Sequence, residues 1–398
     1  MNNVLNGQAS GNNFLIYNVS VHTVNEIIPN GFVLVENGRI TNVSTEKIES
    51  THLHIDGRGN RLLPGFIDIH VNGGGGAMST DGSVEAIDKI ASAHAKFGTT
   101  GMLVTIISVP DEMLLNSISA INGHISKRNT SGANVLGIHL EGPFLNAAKK
   151  GGHQARFLKD PDILLFDELC HHAHSMIKVL TLAPELHQAL PLIKHAKANG
   201  VLTALAHSEA TYAQTLEAIA SGMTLCTHIF NAMAPFTHKE PGPIGAFLTE
   251  DETFVALIPD GIHVAPPAME VVCRTKKKNK IIIVTDAVAP AGTDIGHFKI
   301  LGNDIDVRDG SCYIADTNTL SGSALTMNIA VRSMLENTSC TLTEAINMAT
   351  LNPATLLGVE KSKGSIEIGK DADLVLVDED FHVFFTSVEG RIVHHALN

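Results

Sequence analysis

Cysteine is scarce in this 398-residue sequence. The five present, Cys170, Cys226, Cys273, Cys312 and Cys340, are odd in number and far apart, and no C-x-x-C occurs. That argues against a disulfide framework and against a cysteine-built zinc site. Long apolar runs are missing too. None approaches the ~20 residues that cross a bilayer, so no membrane span is expected. Residues 1–20 are polar and Asn-rich. They lack the basic and apolar regions of a signal peptide, and a reducing, cytoplasmic setting is the expectation. Positive charge is also low: 28 Lys and Arg against 41 Asp and Glu give a net charge of −13. A general nucleic-acid binder needs a positive face, which this balance does not supply.

What is present points elsewhere. Hydrophobic residues reach 44% and charged residues only 17%, the composition of a globular protein with a large core. The length exceeds one ordinary domain, yet a single α/β barrel absorbs about 250 residues or more. There are 21 histidines and no tryptophan. Histidine is the commonest metal ligand and a frequent acid–base group, so this excess is the first hint of chemistry.

Both chain ends read as short strands. Phe14 to Val19, Phe32 to Glu36 and Arg39 to Val43 are β-rich, with Asn37-Gly38 as a hairpin turn. Ala372 to Val377 and Ser387 to His394 read the same way near the C-terminus. Between them, eight apolar runs end in polar or glycine-rich tips. They are Gly65–His70, Gly101–Ser108, Val135–Glu141, Ile177–Pro184, Val201–His207, Met223–His228, Phe254–Asp260 and Ile281–Asp286. Segments with helical spacing separate them, the sixth gap being the weakest. The expected fold class is α/β, a (β/α)8 TIM-like barrel carrying a small β-sandwich accessory domain built from both ends. A doubly wound sheet is the competing topology. The expected bounds are 1–61 plus 363–398 for the accessory domain and 62–362 for the barrel. Thr293 to Thr319 reads as a hairpin insertion. Ala324 to Glu336 and Thr343 to Leu357 read as helices.

In a barrel, reactive side chains sit at the C-terminal ends of the strands. The tips offer His70, Glu141, His207, His228, Asp260 and Asp286. Packing does not explain six ionisable tips, because charged side chains are rarely buried without a partner or a metal. Glu141, His207 and His228 supply one oxygen and two imidazole nitrogens, a three-ligand set for a divalent metal with a position left open for water. Asp286, at the eighth tip, suits a general acid–base, or alternatively a helix N-cap. His70 lies in an H-x-N pattern with Asn72. Asn is a poor ligand for a borderline metal, which counts against a second metal site. Lys149-Lys150-Gly151-Gly152-His153 is a basic loop that reads either as a solvated face or as an anion site. His171, His172 and His174 precede the fourth strand and read as a surface feature.

With these motifs in view, the chain resembles the N-acetylglucosamine-6-phosphate deacetylases of the amidohydrolase superfamily over nearly its whole length. The resemblance rests on Pro64-Gly65-Phe66-Ile67-Asp68, His139-Leu140-Glu141-Gly142-Pro143-Phe144, Thr227-His228-Ile229-Phe230-Asn231-Ala232-Met233, Asp260-Gly261-Ile262-His263, Thr285-Asp286-Ala287 and Leu320-Ser321-Gly322. It implies that Glu141, His207 and His228 hold the metal and that Asp286 is the catalytic acid–base. His263 would polarise the acetamide carbonyl. Gly152, His153, Asn231, Ala232, Asp260, Gly261, Ile262, Leu320, Ser321 and Gly322 would line the sugar-phosphate pocket. It further implies a homodimer, with a basic residue at Lys239 reaching the partner's phosphate site. That residue is usually Arg, and Lys cannot make Arg's two-pronged contact with phosphate. The expected cofactor is one Zn²⁺, with Fe²⁺ or another divalent ion as alternatives and His70 as the residue a second ion would use. The partner is a small sugar phosphate. N-acetylgalactosamine 6-phosphate, a cyclic amide, and a non-catalytic sensor role are the alternatives.

Overall fold

The computed structural model describes residues 12–24, 26–127 and 131–397. Residues 1–11, which open the expected accessory domain and carry half of the polar N-terminal stretch, lie outside the described residues.

Eight strands form the barrel: Phe66–Val71, Thr99–Ile106, Asn134–Glu141, Ile177–Leu182, Leu202–Leu205, Leu225–Cys226, Phe254–Leu257 and Ile281–Ile283. Each pairs in parallel with the next. Helices cover a parallel sheet on its outer face, so its strands are apolar throughout rather than alternating. That is why continuous hydrophobic runs marked them in the sequence. The first and eighth strands are stitched at their tips. Asn72 and Gly73 N–H donate to the Ala287 carbonyl at 2.9 and 2.8 Å, and Asp286 N–H donates to His70 O at 3.1 Å.

Several strands stop short of the apolar runs that announced them. His207, His228 and Asp286 have φ of 49°, 36° and 51°. A left-handed backbone ends strand pairing at once, and non-glycine residues adopt it at a cost. The helix expected over Thr343 to Leu357 is two, Leu342–Ala349 and Leu351–Leu356. Thr350 breaks it at φ −136°, ψ −79°, and Pro353 has no N–H to return to Ala349. Among the described residues no helix is long and apolar enough to cross a membrane.

The chain ends build one sheet in the order Arg391–His395, Val383–Val388, Leu374–Val377, Arg61–Pro64, Phe14–His22, Ile27–Glu36, Arg39–Ser44, with Leu53–Asp56 paired to Phe14–His22. The Asn37-Gly38 turn has φ of 53° and 77°, as a tight hairpin requires. Phe14 and Phe385 lie on strands separated by two others, yet their rings are 5.7 Å apart. At about 4.8 Å per strand spacing, only a curled sheet brings them together. Its concave side holds a core of its own, including Phe14, Val33, Leu374 and Phe385. Leu62 faces that core while neighbouring Leu63 faces the barrel core, so one strand joins the two units.

The expected insertion is a four-stranded antiparallel sheet, His297–Ile300, Asn303–Arg308, Ser311–Ile314 and Leu320–Ser323. It packs on Met78, Val288 and Ala289 beside the barrel mouth. Gly73 allows a close backbone approach here. A Cβ on Gly73 would lie 2.5 Å from Ala77 O and 2.8 Å from Ala289 N.

Candidate active site

The strand tips converge as the run-ends indicated. Glu141, His207 and His228 are all buried. The Nε2 atoms of His207 and His228 lie 3.1 and 3.0 Å from the same oxygen, Glu141 Oε1. His70 Nε2 and His153 Nε2 lie 3.8 and 3.7 Å from the other oxygen, Oε2. Two donor groups therefore share Glu141, one with His70 and His228 and one with His153 and His207, each with its atoms within 4.8 Å. Burial works against charge on Glu141. The His70 charge, with the imidazoles of His153, His207 and His228 around the carboxyl, outweighs it and holds the carboxyl well below its usual range. Burial likewise opposes charge on His70, but Glu141 and Asp286 raise its pKa to about 9.

The donor chemistry fits a metal ion. His207 Nδ1 lies 2.8 Å from the Lys149 carbonyl, which can only accept, so the proton sits on Nδ1. In the neutral ring Nε2 then presents a lone pair to a carboxylate oxygen. Lone pairs facing each other repel, and a cation between them removes the conflict.

Asp286 lies across the site. Its Oδ1 accepts from Asn72 Nδ2 at 2.7 Å, and His70 Nε2 is 3.2 Å from the same atom, off the line of a good hydrogen bond. Behind His70 runs a buried chain. His139 Nδ1 lies 2.8 Å from Ile69 O, and its Nε2 lies 2.7 Å from Thr181 Oγ1. Asp68 ties the first strand to the eighth through Thr285 Oγ1 at 2.5 Å.

These groups open onto a cavity of about 350 Å³, in the range of small-molecule clefts. It brings together Glu141, His207, His228, Asp286 and His263 with the expected Gly152, His153, Asn231, Ala232, Leu320, Ser321 and Gly322. Asp260, Gly261 and Ile262 are not among its lining residues. Asp260 instead engages both oxygens. Oδ2 meets His263 Nδ1 at 2.6 Å and Ser311 Oγ at 2.7 Å, and Oδ1 accepts from the Ile262 and His263 amides. Lys239 is exposed and outside the cavity. Lys149 lines the cavity but pairs with Glu209 at 3.2 Å. His171, His172 and His174 are exposed at the end of the helix Ile163–His172, a surface feature as expected.

Sequence reasoning missed Asn72 as a partner of Asp286 and Ser311 as a partner of Asp260. It also missed the apolar wall of Met78, Ile107, Val288 and Ile300. The H-x-N pattern flagged Asn72, but only as a poor ligand.

Comparison with known proteins agrees with this geometry. Residues 61–394 match the Amidohydrolase family. An N-acetylglucosamine-6-phosphate deacetylase of Bacillus subtilis (strain 168) is 37% identical, covering 95% of this chain and 96% of its own. An N-acetylgalactosamine-6-phosphate deacetylase of Escherichia coli O157:H7 is 36% identical, covering 83% and 87%. The crystal structure of N-acetylglucosamine-6-phosphate deacetylase from Pasteurella multocida superposes with a TM-score of 0.90 at 33% identity, covering 96% and 99%. The chain belongs to the amidohydrolase family, in the group of its N-acetylglucosamine-6-phosphate deacetylase relatives.

Proposed function

We propose that this protein removes the acetyl group from N-acetyl-D-glucosamine 6-phosphate, giving D-glucosamine 6-phosphate and acetate. One observation carries the reading: Asp286, His263 and the Glu141–His207–His228 donor set share one small-molecule cavity. Glu141, His207 and His228 hold one divalent ion, taken as Zn²⁺. When bound, such an ion lowers the pKa of water and polarises a carbonyl. Asp286 takes the proton of the attacking water and returns it to the departing amine. His263, oriented by Asp260, donates from Nε2 as an imidazolium to the carbonyl oxygen as negative charge develops there. Gly152, His153, Asn231, Ala232 and the Leu320–Gly322 turn hold the sugar. Remote phosphate binding orients the amide for attack. Gly261 and Ile262 keep the Asp260–His263 turn in shape.

The reading extends to a cytoplasmic homodimer in which Lys239 reaches the partner's phosphate site. It takes 1–61 plus 363–398 as the accessory domain and 62–362 as the barrel. A preference for the galactosamine epimer is the second reading, favoured by the 36% identity to the Escherichia coli relative. Acetate release from the two epimers, measured side by side with metal content, tests both. A higher kcat/KM on the glucosamine epimer supports the first reading. No acetate from either overturns both.

A further inference from the structure

Asn72 is a polar side chain at this site that neither the metal set nor the substrate contacts account for. It follows the first barrel strand and is buried, yet it lines the cavity. Its backbone is held twice, by the N–H donating to Ala287 O at 2.9 Å and by the carbonyl accepting from Ser79 N–H at 2.8 Å. Its side-chain amide reaches Asp286 Oδ1 at 2.7 Å. Only the NH₂ end can face a carboxylate oxygen at that distance, because the carbonyl end would set acceptor against acceptor. The amide oxygen is then buried with no hydrogen-bond partner. A buried acceptor without a partner is a cost that folded proteins rarely accept.

We propose that Asn72 is a positioning residue for the general acid–base, clamping Asp286 Oδ1 so that Oδ2 faces the reacting water. The inference rests on the proposed role of Asp286. Oδ2 makes no hydrogen bond to the described residues, so it is the oxygen left to carry the proton. A carboxylate free to rotate about its Cβ–Cγ bond presents the two oxygens interchangeably, and one fixed by a donor does not.

The test uses two variants. Asn72→Leu keeps the branched shape, though it is bulkier, and removes both the donor and the unpaired oxygen. It should keep the native Tm or exceed it, retain bound metal, and leave KM within about threefold. Its kcat should fall about ten- to hundredfold, the scale of a small misplacement of a reacting group. Asn72→Ala should show the same kcat loss, with partial recovery in formamide, which returns an NH₂ donor to the vacated space. A kcat within about twofold of native in Asn72→Leu overturns the proposal. So does a kcat loss that follows loss of metal. Inactive native protein on both epimers defeats the functional reading itself, whereas active native protein with unaffected variants defeats only this inference.

Discussion

His207 and Glu141 meet through atoms that repel unless a cation lies between them. His207 Nδ1 faces the Lys149 carbonyl at 2.8 Å, so its Nε2 lone pair faces Glu141 Oε1 at 3.1 Å. A ligand that binds only the folded state stabilises it by mass action. A chelator should therefore lower the Tm, and added Zn²⁺ should restore it. Glu141→Gln should lose bound metal and the Tm response together. A Tm indifferent to chelator and metal would refute the assignment.

Asp286→Asn keeps shape but cannot accept the proton. Turnover should vanish while metal content stays near native. Acetate-release kinetics with metal analysis check this, and persisting activity would show that another group moves the proton.

The Ser311–Asp260–His263 line predicts a graded series. Asp260 fixes the ring of His263 through a 2.6 Å contact, and Ser311 fixes Asp260 through one of 2.7 Å. Burial raises the pKa of Asp260, but hydrogen bonding to His263 and the His263 charge outweigh it and leave the carboxyl below its usual range. Partners that orient a reacting group typically contribute 10–100-fold, so Asp260→Asn should cost about that in kcat. Ser311→Ala should cost less. Equal losses in the two variants would break the proposed order of support.

Lys363 is nearly buried among Asp373 at 2.9 Å, Asp371 at 3.0 Å and Glu389 at 3.3 Å. Burial opposes its charge, but Asp373 and Asp371 outweigh that and raise its pKa above the ordinary 10.5. Removing one partner of a buried pair strands the other, so Lys363→Met should cost about 3–5 kcal/mol. A folded-state pKa above the unfolded one stabilises most below pH 10.5, and this support fades as pH rises further. Denaturant titration of native and variant protein at pH 8 and above 10.5 should show the gap narrowing.

The parts of this site that the sequence disclosed are those set by one strand's own pattern. Glu141, His207, His228 and Asp286 stand where buried apolar runs end, and run-ends are readable without knowing the neighbours. Asn72 and Ser311 were not readable in this way. Their partners lie 214 and 51 residues away, and a lone Asn or Ser carries no period. Strand lengths were overestimated for a related reason. The backbone turns left-handed at His207, His228 and Asp286, just past the strands, and an apolar run does not show where that happens. Asp260 shows a third limit. Its place at a strand tip was legible, but which way its carboxylate faced depended on the His263 ring and on the insertion sheet.

Two buried histidines weaken the fold in acid. Both ring nitrogens of His22 are buried without a partner, and burial, with the Arg61 charge, lowers its pKa to about 4. Burial and the neighbouring His70 charge lower His139 to about 3. In the unfolded chain both titrate near 6.5. Below that pH the unfolded chain binds protons that the folded protein refuses, so stability falls as pH drops. For His22 the loss runs from about 6.5 down to about 4, where the folded form also protonates. His22→Leu removes this group and keeps the site apolar, so its Tm should fall less between pH 7 and pH 5 than the native Tm. Thermal melts across that range decide the matter, and parallel slopes for native protein and His22→Leu would mean that His22 is not buried in its neutral form.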